Sequence, residues 1–227
     1  MDQGFRWDIV FDSFPLLLKA ALVTIEITAL SVFIGLCIGI FAGMARICPV
    51  RALRWLSATY IDFIRGIPLL VQIFLIYYGF PGLMKGMWDI QVQIDPFVAA
   101  IAACGINSGA YVGEIIRAGI QSIDKGQMEA GRSLGMGYVQ TMTYVIMPQA
   151  LKRILPPLGN EFIAMLKESS LVSVIGFEEL TRRGQLIIAR TYGSFEIWLS
   201  VAFIYLIMTL TISQIVAWLE RRYHIKS

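Results

Sequence analysis

The chain has 227 residues, 57% of them hydrophobic and only 15% charged, a mean hydropathy of +0.68 and a formal net charge of +3. This composition excludes an ordinary soluble globular domain, and the small positive charge, carried by short loops, calls for no nucleic-acid partner. The chain reads as an all-α integral membrane protein.

Residues 1–14 hold Asp2, Asp8 and Asp12 and lack the basic leader of a cleaved signal peptide, so the first apolar helix is expected to stay in the mature protein. The first charge-free run long enough to cross a bilayer is 27–45, with Glu26 just before it reaching an interface. The next loop carries Arg46, Arg51 and Arg54 and no acid, which marks it as cytoplasmic. Asp62 and Arg65 are three apart, the spacing of a self-neutralising pair on one helix face. The Gly66-Ile67-Pro68 that follows is expected to kink a second span, 66–84, and to free carbonyls toward a cavity.

Asp89 and Asp95 place the next loop on the opposite side, and a third span covers 96–113. Glu114 and Arg117 repeat the paired spacing at its inner end. The region 117–153 is again basic and therefore cytoplasmic. Within it, Asp124 is an N-cap with Gln127 as a capping-box partner, and Gly135 is the C′ glycine. The resulting helix, 125–134, is too short to span and too polar for lipid; a new helix is expected from Tyr138.

A broken span at 154–177 contains Pro156-Pro157, Gly159, Asn160, Glu161, Lys167 and Glu168, the pattern of a discontinuous functional membrane helix. The last span is 197–219, and Arg221, Arg222 and Lys226 end the chain on the basic side. Five spans then put the N-terminus outside and the C-terminus in the cytoplasm. Cys37, Cys48 and Cys104 are odd in number and imply neither a disulfide framework nor a metal site.

Catalysis finds little support. Ser108 lies among glycines in "GINSGAY", but the only histidine is His224 in the tail, and Lys167 has Glu168 beside it. No G-x-x-x-x-G-K-[ST] is present, so ATP energy must enter through another subunit.

Glu129, Ala130, Gly135 and Pro148 resemble the EAA loop of ATP-binding-cassette importer permeases. "RGIPLLVQ" (65–72), "SGAYVGEIIRAGI" (108–120) and "PQALKRILPPLGNEFIAMLKESSLVSVIG" (148–176) resemble the polar amino-acid branch of that family, in family order. Gly131, in place of the second alanine, and Met142, in place of a common aromatic, depart from the pattern and are expected to weaken helix propensity or packing slightly.

The resemblance implies a single permease domain over 1–227 with the type I importer fold and a coupling loop at about 122–148. Glu129, Ala130, Gly131, Gly135 and Pro148 would dock that loop on an ATPase dimer at the cytoplasmic face. It implies a second permease chain, identical or a paralogue, an extracytoplasmic substrate-binding protein, and a place in a bacterial or archaeal cytoplasmic membrane. No cofactor is expected, ATP and magnesium being bound by the ATPase.

Charged and polar groups within apolar runs are the substrate-binding candidates: Glu161 above all, then Asn160, Glu114, Asp62 and Ser170. If Arg65 and Arg117 are each neutralised by the acid three residues away, Glu161 is a surplus acid, which favours arginine, lysine or histidine as substrate. The substrate carboxylate would meet amides at the Gly66–Pro68 kink or near Ser169-Ser170, and its amino group carbonyls around 156–160. The rival readings are an ion-coupled secondary transporter and a structural anchor for an ATPase.

Overall fold

A computed structural model describes residues 5–222; Asp2, His224 and Lys226 lie outside the described residues. Helix α1, Trp7–Ile47, is 41 residues long and starts twenty residues before the run read from the sequence. Lys19 and Glu26 end the charge-free run but fall on the exposed face. The buried stripe, Ile9, Ser13, Leu17, Ala20, Thr24, Ile27, Ser31, Gly35, Gly39 and Gly43, continues past them at three- and four-residue spacing.

Next come α2 (Arg51–Arg65), α3 (Leu69–Phe74), a π-helical turn (Leu75–Gly79) and α4 (Phe80–Trp88). The last three form one crossing, Leu69–Trp88. Helix α5, Pro96–Gln121, is capped by Asp95, whose carboxylate accepts the Phe97 N–H at 2.8 Å. Then follow α6 (Lys125–Ser133), α7 (Tyr138–Thr141), a second π-helical turn (Met142–Ile146), α8 (Met147–Glu168), a 3-10 segment (Ser169–Ile175), α9 (Leu180–Thr191) and α10 (Ser194–Arg222).

Among the described residues, four helices are long and apolar enough to cross a membrane. The 22-residue α8 is about 33 Å long, enough for a fifth crossing, its charged and polar residues setting it apart from the four in composition but not in length.

Two expectations about helix breaks need correction. Gly66–Pro68 separates α2 from α3 outright rather than kinking one helix, and two of the carbonyls at the break, those of Ile64 and Ile67, are occupied rather than free. The Gln72 amide donates to both Ile64 O (2.9 Å) and Ile67 O (2.8 Å), stapling the break shut. Replacing Gln72 by leucine leaves two acceptors without their donor and is expected to destabilise the protein by about 1–3 kcal/mol. A thermal melt of the detergent-solubilised variant, compared with Gln72→Glu or Gln72→Asn, measures it; an unchanged melting temperature would refute the staple.

The second correction concerns Pro156 and Pro157, which interrupt nothing, because α8 runs through them. Their missing N–H groups release the carbonyls of Lys152 and Arg153, one turn earlier than the expected 156–160. The chain turns instead at Gly176, whose φ of +83° ends the 3-10 segment. Both π turns stop one residue short of a proline, Pro81 and Pro148. A proline ring clashes with the carbonyl four residues back, and an extra residue in the preceding turn relieves that clash.

The centre of the fold is the α1–α5 pair. A Cβ on Gly35 would lie 2.7 Å from Ser108 Cβ, one on Gly39 2.5 Å from Val112 Cγ1, and one on Gly43 2.9 Å from Ile116 Cβ. These contacts advance together along both helices, which therefore run parallel at a separation that only small residues allow. Helix α8 joins α5 where Gly119 meets Ile154, and joins α10 where Gly159 meets Val216. Glu179, fully buried, caps α9 by accepting the N–H groups of Thr181 and Arg182 (both 2.8 Å) and the Tyr205 hydroxyl (3.0 Å).

Candidate functional site

Two groups of residues stand out, one on the α6 end of the bundle and one buried between α5 and α8.

At the α6 end, Asp124 caps the short helix through the Gly126 N–H at 2.7 Å. The capping box does not close: Gln127 Oε1 accepts from Gln149 on α8 at 3.2 Å instead, tying the loop to the membrane helices. At the other end, Gly135 has a φ of +83°. Its N–H donates to Arg132 O (3.0 Å) and the Met136 N–H to Gly131 O (3.1 Å), the double closure of a Schellman motif. Helix α7 then starts at Tyr138, as expected, and continues through the π turn into α8.

Gly131 is buried, and a Cβ there would lie 2.5 Å from Thr141 Cγ2. The glycine lets α6 close against α7, so the expected loss in packing is the reverse of what the structure shows. Glu129 and Ala130 are exposed, and Leu134 is 84% exposed at the tip. Among the described residues no cation lies within ion-pair distance of Glu129, so the internal Glu129–Arg132 pair is not made. Pro148 sits in the first turn of α8 behind this knob.

The candidate substrate residues divide among three places. Glu161, only 9% exposed, faces Ser108 on α5, yet neither Glu161 Oε1 nor Ser108 Oγ has a partner in good hydrogen-bond geometry. Ser31 Oγ and Asn107 Oδ1 are also buried and unpaired. Buried polar atoms are nearly always paired, so such a seam across α1, α5 and α8 marks a place where another molecule's polar groups are needed. Asn107 was not singled out by sequence reasoning, and Ser108 was weighed only as a nucleophile; a polar pair inside a Gly/Ala-rich span was the available signal.

Asn160 does not join Glu161. It lies on the neighbouring, exposed face of α8 with Lys167. Ser170 belongs to a shallow cleft of about 340 Å³ lined also by Lys167, Glu168 and Ala164, and its hydroxyl donates to Lys167 O at 2.6 Å. Ser169 is buried, donating to Leu166 O at 2.8 Å.

Asp62 and Glu114 belong to a third group. Asp62 pairs with Arg46 of α1 at 3.0 Å, not with Arg65. Glu114 accepts from Arg117 Nε at 2.8 Å, as the spacing predicts, and lies 4.0 Å from Arg46. Arg117 also reaches Gln121. This ion network clamps α1, α2 and α5. Arg65 is left without a carboxylate within ion-pair distance among the described residues, its guanidinium 5.1 Å from the centre of the Tyr111 ring. The surplus-acid argument for a basic substrate rests on Arg65 being neutralised by Asp62, and that premise does not hold.

Comparison with known proteins gives concordant results. Residues 35–225 match the family described as "Binding-protein-dependent transport system inner membrane component". The chain is 45% identical to the glutamine transport system permease protein GlnP of Escherichia coli (strain K12), over 96% of this chain and 97% of that one. It is 43% identical to the L-cystine transport system permease protein TcyB of Bacillus subtilis (strain 168), over 98% and 93%. A crystal structure of an amino acid ABC transporter with histidines superimposes with a TM-score of 0.89 at 47% identity, covering 98% of this chain and all 100% of that chain.

Proposed function

We propose, for a chain that belongs to the family of binding-protein-dependent transport system inner membrane components, that it carries a neutral polar amino acid inward by holding the α-amino-acid group between Glu161 and Arg65. The chain is an all-helical amino-acid ABC importer permease with the type I fold, and its family works with an ATPase and a substrate-binding protein. Neither the secondary transporter nor the bare anchor is favoured.

The observation that carries the proposal is the buried, unpaired Glu161 carboxylate on a polar seam; Arg65, which has no carboxylate within ion-pair distance among the described residues, lies over the Tyr111 ring of α5. An acid and a base suit an ammonium and a carboxylate, which every α-amino acid has. Two of the similar proteins are named for glutamine and L-cystine, and the balance of one acid and one base fits a side chain without net charge. The exposed polar face of α8 with Asn160 and Lys167, and the cleft beyond its end with Ser170, support a second permease chain, since lipid is a poor neighbour for these groups.

The basic α6 end is assigned to the cytoplasm and the end with Asp89 and Asp95 to the outside. The exposed knob of Glu129, Ala130 and Leu134 then docks on the ATPase, whose bound ATP and magnesium power transport, in a bacterial cytoplasmic membrane.

In proteoliposomes holding the complete transporter, Glu161→Gln is expected to cut uptake of glutamine and of arginine by similar factors of about tenfold. Selective loss of arginine uptake would restore side-chain recognition. Undiminished uptake of both removes Glu161 from the site.

A further inference from the structure

A cleft of about 540 Å³ lies beside α6, away from the seam that holds Glu161. Its cations are Arg46, Arg54 and Lys125, its only acid is Asp124, and its apolar lining includes Ile47, Ile123 and Met142. Asp124 is occupied in capping α6, and Arg46 in the pair with Asp62. Among the described residues neither Arg54 nor Lys125 has an acid within ion-pair distance. Two free cations thus stand over an apolar lining at one end of a membrane protein.

Helix α2 adds a second observation. It carries Arg51 and Arg54 in its first turn beside exposed Leu53 (48%), Trp55 (67%) and Leu56 (58%), the composition of a segment lying at a membrane surface. A soluble anion needs only the cations; the adjoining apolar lining and the exposed Trp55 suit an anion that brings hydrocarbon with it.

The geometry points to a binding site for one anionic phospholipid per permease chain, its phosphodiester held by Arg54 and Lys125 and its acyl chains on the apolar lining. Lys125 belongs to α6, so the lipid joins the coupling helix to the bilayer. Placing the site in the cytoplasmic leaflet rests on the orientation proposed above; the site itself does not.

The test uses the permease–ATPase complex in detergent, offered phosphatidylglycerol or phosphatidylcholine and weighed intact by native mass spectrometry. One retained phosphatidylglycerol per permease chain is expected, in preference to phosphatidylcholine. Arg54→Gln together with Lys125→Gln should weaken retention about thirtyfold, at roughly fivefold per charge, and Arg54→Lys should keep it. Circular dichroism melts establish that the variants are folded.

Equal retention of the two lipids, or undiminished retention in the double variant, overturns the inference. Displacement by soluble glycerol phosphate at matched concentration does so too, by making the site one for free phosphate. Binding that occurs only without the ATPase would assign the cleft to the subunit interface. ATP-driven uptake is measured in parallel: its absence in every lipid counts against the transport reading and leaves the lipid count to decide this inference alone.

Discussion

Gly39→Leu is expected to destabilise the folded permease strongly. A Cβ at this position would stand 2.5 Å from Val112 Cγ1 and 2.9 Å from the Gly113 backbone nitrogen, and a helix backbone cannot give way as a side-chain tip can. The cost is about 3 kcal/mol or more, which lowers the melting temperature of a chain this size by roughly 10 °C and cuts the yield of monodisperse protein severalfold. Gly82→Leu, on the same scale of added volume but with nothing within 4 Å of the new Cβ, serves as the control and should melt like the parent. A Gly39→Leu protein that also melts like the parent would mean that α1 and α5 do not pack as described.

The second large effect is expected at Gly135. The position has open space around it, so volume is not the issue. Its φ of +83° is, because a β-branched residue is strained there by about 1–3 kcal/mol. Gly135→Val should open the Schellman closure, turn the Leu134 tip out of place, and weaken ATPase association tenfold or more while the membrane helices remain folded. Gly135→Asn tolerates the left-handed region better and should fall in between. Pull-down of the ATPase with each variant, read beside its circular dichroism, makes the measurement; full association and uptake in Gly135→Val would end the docking role.

The α6 segment was the part of the molecule most legible in the sequence, because its signals are local. Asp124 and Gly135 delimit α6 by cap chemistry that depends on neighbours a few residues away, and the helix ends one residue from where they place it. The charge-free crossings at 66–84, 96–113 and 197–219 and the Glu114–Arg117 pair were readable for the same reason.

What could not be read depends on contacts between distant segments. Three-residue spacing is equally compatible with Asp62–Arg65 and with the observed Asp62–Arg46, and only the crossing of α2 over α1 decides between them. A charge-free run starts only at residue 27, twenty residues after α1 does, because Lys19 and Glu26 interrupt it although both lie on the exposed face. Gly131 looked like a weak point of the EAA pattern until Thr141 was seen against it. In the buried seam Glu161 stood out as a charge, whereas Asn107 and Ser108, being small and neutral, gave little sign that their side chains would lack partners.

The parallel pairing of α1 with α5 also bears on how the protein is made. The stripe from Ser31 to Gly43 meets residues that are synthesised roughly 70 positions later, which at 5–20 residues per second is a delay of about 4–14 seconds. For that interval α1 is in the membrane without its main partner, and the Leu69–Trp88 crossing must be threaded before the partner arrives. The nascent chain therefore does not acquire its fold gradually. It waits, partly assembled, until α5 slides in beside the first helix, and α8, which carries Glu161, joins α5 later still.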